Sequence, residues 1–72
     1  MATVTSATTE EAVTHGGTTR FLFKYVLDIG ETHYRRAWVP AGTDEAAERS
    51  RRQTMMLDEL AEAEAINVVG SA

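Results

Sequence analysis

The sequence contains no cysteine, a single proline and no long apolar run. Without cysteine there is no disulfide framework, no thiol nucleophile and no cysteine zinc site. No stretch approaches the ~20 apolar residues of a membrane span, and residues 1–19 lack the charged start and apolar centre of a secretory signal. We therefore expect a protein held together by non-covalent contacts, located in the cytoplasm or assembled into a larger particle, with no membrane partner.

Residues with catalytic or metal-binding chemistry are also few. The two histidines, His15 and His33, form neither an HxxxH nor an HxH motif, so we expect no metal site and no cofactor. No serine has the Gly-x-Ser-x-Gly setting of a nucleophile, and the carboxylates crowd one helical segment without the contrasting environments of an acid–base pair. A folded unit of about 50 residues also hardly has the volume for an enclosed pocket. We predict a non-catalytic protein.

Positive charge is in the minority, with seven Lys and Arg residues against eleven Asp and Glu residues and a net charge of -4. This balance argues against binding to nucleic acid through bulk charge, although it leaves local basic patches open. Lys24 is the only lysine, and alanine is abundant. Codon bias in a GC-rich genome produces such a composition, which favours a high-GC bacterium or one of its phages as the source.

The first nineteen residues differ in composition from the rest of the chain. Residues 1–19 are rich in Thr, Ala, Ser and Gly, with Val4 and Val13 as apolar anchors. Such a segment buries too little apolar surface to offset the entropy lost on ordering. We expect a flexible arm, or an arm that pairs as an extended strand with a partner, since Thr and Val favour strands. Residues 20–70 then form the small folded domain.

Alternating bulky apolar residues predict a β-hairpin over residues 20–40. Gly30 can open a two-residue turn, and this turn places Phe23 opposite Trp38. A longer loop through residues 31–33 is the alternative. A shift of the register by one residue would move Trp38 to the other face of the hairpin.

A helix is predicted after the hairpin, with Thr43 as its N-cap and an end near Ala65. Residues 66–69 either end this helix or form a short third strand, and the strand is favoured because Asn67 and the paired valines are poor helix formers. Small residues dominate the stripe that is expected to face the aromatic side of the hairpin. This stripe consists of Ala46, Ala47, Ser50, Gln53, Thr54, Leu57, Leu60 and Ala61.

The predicted fold is therefore α+β, a ββα unit in which the hairpin packs on one amphipathic helix. The helix covers only one face of the hairpin, and the other face carries an apolar strip. Exposed strips of this kind mark interfaces, and an isolated two-stranded sheet is marginal in water. The predicted core residues are Phe23, Trp38, Leu57 and Leu60, and the predicted interface residues are Leu22, Val26, Ala37, Val39, Met55 and Val68.

From this strip we predict a structural or interaction protein that self-associates or docks onto a protein partner. A component of a phage particle is the first hypothesis, and an accessory subunit of a larger enzyme is the second. The alternative is a nucleic-acid-binding protein that uses the basic face of the hairpin, with contacts from Arg20, Lys24 and Arg35. The net charge and the lack of a helix-turn-helix or RNP-type motif argue against this alternative.

Overall fold

A computed structural model describes residues 3–71 of the chain and the side chains of residues 3–63. The described elements are β1 (Val4–His15), β2 (Thr18–Leu27), β3 (Thr32–Pro40) and α1 (Glu45–Ser71). The strands form one antiparallel sheet in the order β1-β2-β3, and α1 packs on one of its faces. The predicted α+β class, with a β-hairpin packed on one helix, is confirmed.

The polar N-terminal segment forms strand β1 on the chain's own β2, so the sheet has a strand where we predicted a flexible or partner-ordered arm. At the turn, His15 pairs with Thr18. The intervening Gly16 and Gly17 have φ angles of 59° and 81°, the type I′ geometry that glycine adopts without a steric penalty. The strand is ordered because β2 supplies its backbone partners and because its Ala7 packs against the core.

The turn between β2 and β3 is longer than the predicted two residues. The Gly30 N–H donates to the Leu27 carbonyl at 3.0 Å, and the Leu27 N–H donates to the Glu31 carbonyl at 2.8 Å. Gly30 has a φ angle of 86°, so residues 28–30 form a type I turn followed by a left-handed residue. Gly30 therefore closes the loop, whereas the predicted turn began with it.

This longer turn changes the register of the hairpin. Trp38 lies opposite Arg20, and Phe23 lies opposite Arg35. The offset from the predicted pairing is an odd number of residues, so it moves every β3 side chain to the other face. Trp38 is consequently 62% exposed on the face away from α1, and its assignment to the core is wrong.

The core lies between α1 and the alternate residues of β2 that face it. The ring centroids of Phe21 and Phe23 are 5.3 Å apart, and those of Phe23 and Tyr25 are 6.3 Å apart. Phe23 is fully buried, as predicted, and Leu57 and Leu60 pack against the core in partly buried positions. The buried hydrophobic residues are Phe21, Phe23, Tyr25, Leu27, Ala37, Val39 and Met56.

Helix α1 is capped one residue later than predicted. The Asp44 Oδ1 accepts a hydrogen bond from the Ala47 N–H at 3.0 Å, the geometry of an N-cap. The Thr43 hydroxyl instead donates to the Pro40 carbonyl at 2.6 Å. Thr43 thus belongs to the turn that precedes the helix, which leaves Asp44 to cap it.

The helix is also rotated about its axis relative to the predicted stripe. The predicted stripe residues Ala46, Ala47 and Ser50 are exposed, whereas Glu48 and Met56 are buried. A rotation of roughly 100°, the angle between successive helical residues, accounts for the difference. The longer side chains that face the sheet cover more aromatic surface than alanine does.

Residues 66–69 belong to α1, so the predicted third strand at this position is wrong. Ala61, Glu62 and Ala63 are all exposed, and among the described side chains Leu60 is the last that packs against the core. The molecule is correspondingly elongated, with extents of 49 × 21 × 15 Å.

Candidate binding surface

The face of the sheet turned away from α1 is called the outer face. Its side chains come from alternate residues of the three strands, because directly paired residues of antiparallel strands share a face. On β2 and β3 the pairs are Arg20 with Trp38, Leu22 with Arg36, Lys24 with Tyr34, and Val26 with Thr32. β1 adds Ser6, Thr8, Glu11, Val13 and His15 to this face.

Two aromatic side chains are prominent on the outer face. Trp38 is 62% exposed and Tyr34 is 52% exposed, and Arg36 lies between them on β3. With a rise of about 3.3 Å per strand residue, the Cα atoms of Tyr34 and Trp38 are about 13 Å apart. Large aromatic residues held on a rigid strand provide contact area with little entropy loss on binding.

Positive charge accompanies these aromatic residues. Arg20, Lys24 and Arg36 each occupy one member of a cross-strand pair, so three successive pairs carry a cation. The Arg20 Nη2 lies 2.7 Å from the Glu11 Oε1, and both side chains are nearly half exposed. Because exposed ion pairs are weak, this contact leaves Arg20 available to a ligand. The outer face is thus locally basic on an acidic protein.

Two shallow depressions lie on the outer face. One has a volume of about 450 Å³, and the other has a volume of about 220 Å³. Both are open to solvent, so they are suited to contact with an extended partner more than to enclosure of a small substrate. The first is lined by Leu22, Tyr34 and Arg36, and the second by Val13, His15, Thr18, Arg20 and Trp38.

The predicted apolar strip on the hairpin is split between the two faces of the sheet. Leu22 and Val26 are partly buried on the outer face, where we expected them. Ala37 is fully buried and Val39 is 8% exposed in the core beneath α1, so their assignment to an interface is wrong. The cause is the shifted register, which turned these two residues toward the helix.

Of the other predicted interface residues, Met55 does not join the outer face. Met55 is 40% exposed on α1, where its sulfur accepts a long hydrogen bond of 3.9 Å from Arg51. Val68 lies outside the residues whose side chains the structure describes. The outer face therefore gathers only part of the predicted set.

The predicted basic contacts are divided in the same way. Arg20 and Lys24 share the outer face, but Arg35 lies on the face toward α1, with its Nη2 3.3 Å from the Glu59 Oε2. Its neighbour Arg36 takes the corresponding place on the outer face. The predicted register placed Tyr34, Arg36 and Trp38 on the face toward the helix, so these three residues were not predicted as part of the binding surface.

A polar cluster around the buried residues Tyr25 and Glu48, called the Tyr25 cluster, joins α1 to the sheet on the other face. The Tyr25 hydroxyl donates to the Arg49 carbonyl at 2.6 Å. Burial raises the pKa of Tyr25 above its ordinary value of 10.0, while the nearby Arg49 and Arg52 guanidinium groups oppose this rise. Glu48, only 6% exposed, accepts a hydrogen bond from Arg52 Nε at 3.1 Å.

This cluster also reaches β1. The Arg49 Nη1 donates to the Thr9 hydroxyl at 2.9 Å, and that hydroxyl donates to the Glu45 Oε2 at 3.0 Å. Among the described residues, no buried side-chain nitrogen or oxygen lacks a hydrogen-bond partner. The cluster therefore links strands to helix and offers no unpaired buried group to a ligand.

Among the side chains of residues 3–63, no group of three or more His, Cys, Asp or Glu residues is placed to hold a metal ion. No helix in the part of the chain that the structure describes combines the length and apolar character needed to cross a membrane. No protein-family model, curated protein or solved structure matches the chain.

Proposed function

We propose that this protein is a small non-catalytic binding protein whose outer face holds an anionic partner. The proposal rests on three adjacent cross-strand pairs on the outer face, each of which contains one cation. Two of these pairs also contain an exposed aromatic residue. No other surface in the described part of the chain combines exposed aromatic rings with a concentration of positive charge.

The arrangement of the cations supports an extended partner. Arg20 and Lys24 are four residues apart on β2, which separates their Cα atoms by about 13 Å. Arg36 lies between them on the neighbouring strand, about 5 Å to the side. These three positions form a triangle on the sheet. Because the sheet already fixes the backbone at these positions, little backbone entropy is lost when the three side chains bind several anionic groups of one ligand.

A second candidate is the expected subunit of a protein assembly. Trp, Tyr and Arg are the residue types that dominate protein–protein hot spots, and all three are present on the outer face. In this proposal the protein acts in a phage particle, or as an accessory subunit of a larger enzyme in the cytoplasm. A symmetric dimer through the outer face is disfavoured because it would bring the cations of two copies together.

Retention on heparin at increasing salt concentration tests the outer face as an anion-binding surface. Arg36→Ala and Arg35→Ala remove the same charge from adjacent positions on opposite faces of β3, so they form a matched pair. We expect Arg36→Ala to elute at clearly lower salt than the wild type and Arg35→Ala to elute near it. Equal effects of the two substitutions, or no retention of the wild type at low salt, would contradict the proposal.

A further inference from the structure

We propose that the partner of the outer face is single-stranded nucleic acid, which lies along β3 with bases stacked on Tyr34 and Trp38. This inference rests on the proposed function, since it uses the same face and names the chemical class of its ligand. The phosphates of the strand meet Arg20, Lys24 and Arg36.

Tyr34 and Trp38 form two stacking positions on β3. Both rings are more than half exposed on one strand, and an exposed ring on a sheet is a platform on which an unpaired base can stack. An extended single strand advances by roughly 6–7 Å per nucleotide, about twice the rise of a stacked base. The separation of about 13 Å between the two aromatic positions therefore corresponds to two nucleotide steps.

Cationic residues lie beside both stacking positions. Arg20 is the cross-strand neighbour of Trp38, and Lys24 is the cross-strand neighbour of Tyr34, so the backbone of a cationic residue on β2 lies about 5 Å from each stacking position. Arg36 lies between the two rings, where it can contact the nucleotide that bridges them. Grooves that bind a single-stranded nucleic-acid backbone combine lysine and arginine with aromatic rings in this way.

The same features disfavour double-stranded nucleic acid and an acidic protein segment. A duplex hides the faces of its bases, so it cannot use Tyr34 and Trp38 for stacking. Lysine is depleted at the cores of protein interfaces, whereas Lys24 lies beside Tyr34 on the outer face. A phosphate backbone supplies an anion at every nucleotide, which matches the spacing of the three cations.

The distribution of acidic residues reconciles this ligand with the net charge of -4. Asp58, Glu59 and Glu62 are exposed on α1, on the opposite side of the sheet, whereas Glu11 on the outer face is paired with Arg20. Repulsion from the carboxylates on α1 restricts a polyanion to the outer face. We therefore expect a short binding site, with a weak dependence on salt compared with that of a protein basic over its whole surface.

Trp38 is the only tryptophan, so its fluorescence reports directly on the proposed stacking. Titration with a twelve-nucleotide oligothymidylate is expected to quench this fluorescence. The logarithm of the binding constant should fall against the logarithm of the salt concentration with a slope of about -2, the value for three phosphate contacts on a single strand. A duplex of the same length should bind at least about tenfold more weakly, because it offers no stacking.

Variants assign the binding to individual residues. Tyr34→Val keeps a strand-forming residue but removes the ring, and it should weaken binding by about 5- to 150-fold while the Trp38 signal remains. Tyr34→Leu serves as a second variant if circular dichroism shows that Tyr34→Val is unfolded. Arg35→Ala, on the other face, should bind as the wild type does.

The outcomes separate this inference from the proposed function. If oligothymidylate neither binds nor quenches Trp38, but retention on heparin still depends on Arg36, the nucleic-acid inference is wrong and the anion-binding surface stands. Duplex binding as tight as single-strand binding also overturns the inference. If heparin retention does not depend on Arg36 either, both proposals fail.

Discussion

At the scale of single residues, Tyr25 shows how the sheet and the helix are held together. Its side chain is fully buried, yet its hydroxyl reaches the Arg49 carbonyl at 2.6 Å. A buried hydroxyl without a partner would be costly, and a helix carbonyl within α1 provides that partner. The contact joins α1 to β2 through a side chain of the core.

Removal of this hydroxyl should destabilise the protein by a modest amount. For Tyr25→Phe we expect the free energy of unfolding to fall by about 0.5–1.5 kcal/mol, because one hydrogen bond is lost while the ring remains packed. Urea denaturation followed by circular dichroism measures the change. A variant as stable as the wild type would show that the hydrogen bond contributes nothing net.

The same residue makes stability dependent on alkaline pH. Burial raises the pKa of Tyr25 above 10.0, so the unfolded chain loses this proton at lower pH than the folded chain does. The contribution is fully present below pH 10 and is lost as the pH rises through the folded-state pKa.

In urea denaturation at a series of pH values from neutral to strongly alkaline, the wild type should lose stability relative to Tyr25→Phe above about pH 10. The phenylalanine variant is the control, since every other titrating group is common to the two proteins. A constant difference between the two proteins across the series would contradict the assigned cause.

At the scale of elements, the two hairpin turns decide which faces the strands present. Gly16 and Gly17 form a two-residue turn, whereas residues 28–30 form a three-residue loop that ends in a left-handed glycine. One residue more or less in the second loop would turn Trp38 toward α1 and turn its neighbours on β3 toward solvent. The outer face therefore depends on backbone conformation at Gly30.

Substitution at Gly30 should reveal this conformational requirement. A Cβ atom at Gly30 would contact nothing within 4 Å, and the φ angle is +86°. The cost of Gly30→Ala is therefore conformational, and we expect a loss of about 1–2 kcal/mol of unfolding free energy. Gly30→Asn should lose less, because asparagine tolerates the left-handed region. Thermal unfolding of the two variants compares them, and an alanine variant at least as stable as the asparagine variant would contradict the assigned turn.

At the scale of the whole molecule, the sheet separates two chemically different sides. The side covered by α1 holds the apolar core and the Tyr25 cluster, and exposed carboxylates such as Glu62 lie on the helix. The other side holds Trp38, Tyr34 and the three cations. One short hairpin thus serves both as the core-forming layer and as the proposed binding surface.

Two aromatic substitutions on this hairpin should have opposite consequences. Phe23→Ala removes a fully buried ring, and we expect a loss of about 3–5 kcal/mol, enough to unfold a domain of this size. Trp38→Ala removes an exposed ring and should change stability by only about 0.5 kcal/mol. Thermal unfolding by circular dichroism compares them. If both variants lost stability equally, the register would be the one predicted from the sequence, with Trp38 in the core.

Local patterns in the sequence are sufficient to predict the hairpin, the helix and the α+β class. The alternation of residues 21–29 and the helix-forming composition after Asp44 determine strand and helix through interactions between residues that are close in the sequence. They also identify Phe23 and Leu22 correctly as core and surface residues. Strand β1 was not predicted, although the pair Gly16 and Gly17 is typical of a hairpin turn. The polar residues of β1 form a strand only because β2 provides their backbone hydrogen-bond partners.

The outer face itself was decided by tertiary structure. Tyr34, Arg36 and Trp38 alternate with Arg35, Ala37 and Val39 along β3, and either set is chemically able to face the helix. The choice depends on a turn conformation at Gly30 and on how α1 packs against Tyr25. Because side chains of a strand alternate with a period of two, one small local difference exchanges a complete face, and only the packed molecule determines which face remains in solvent.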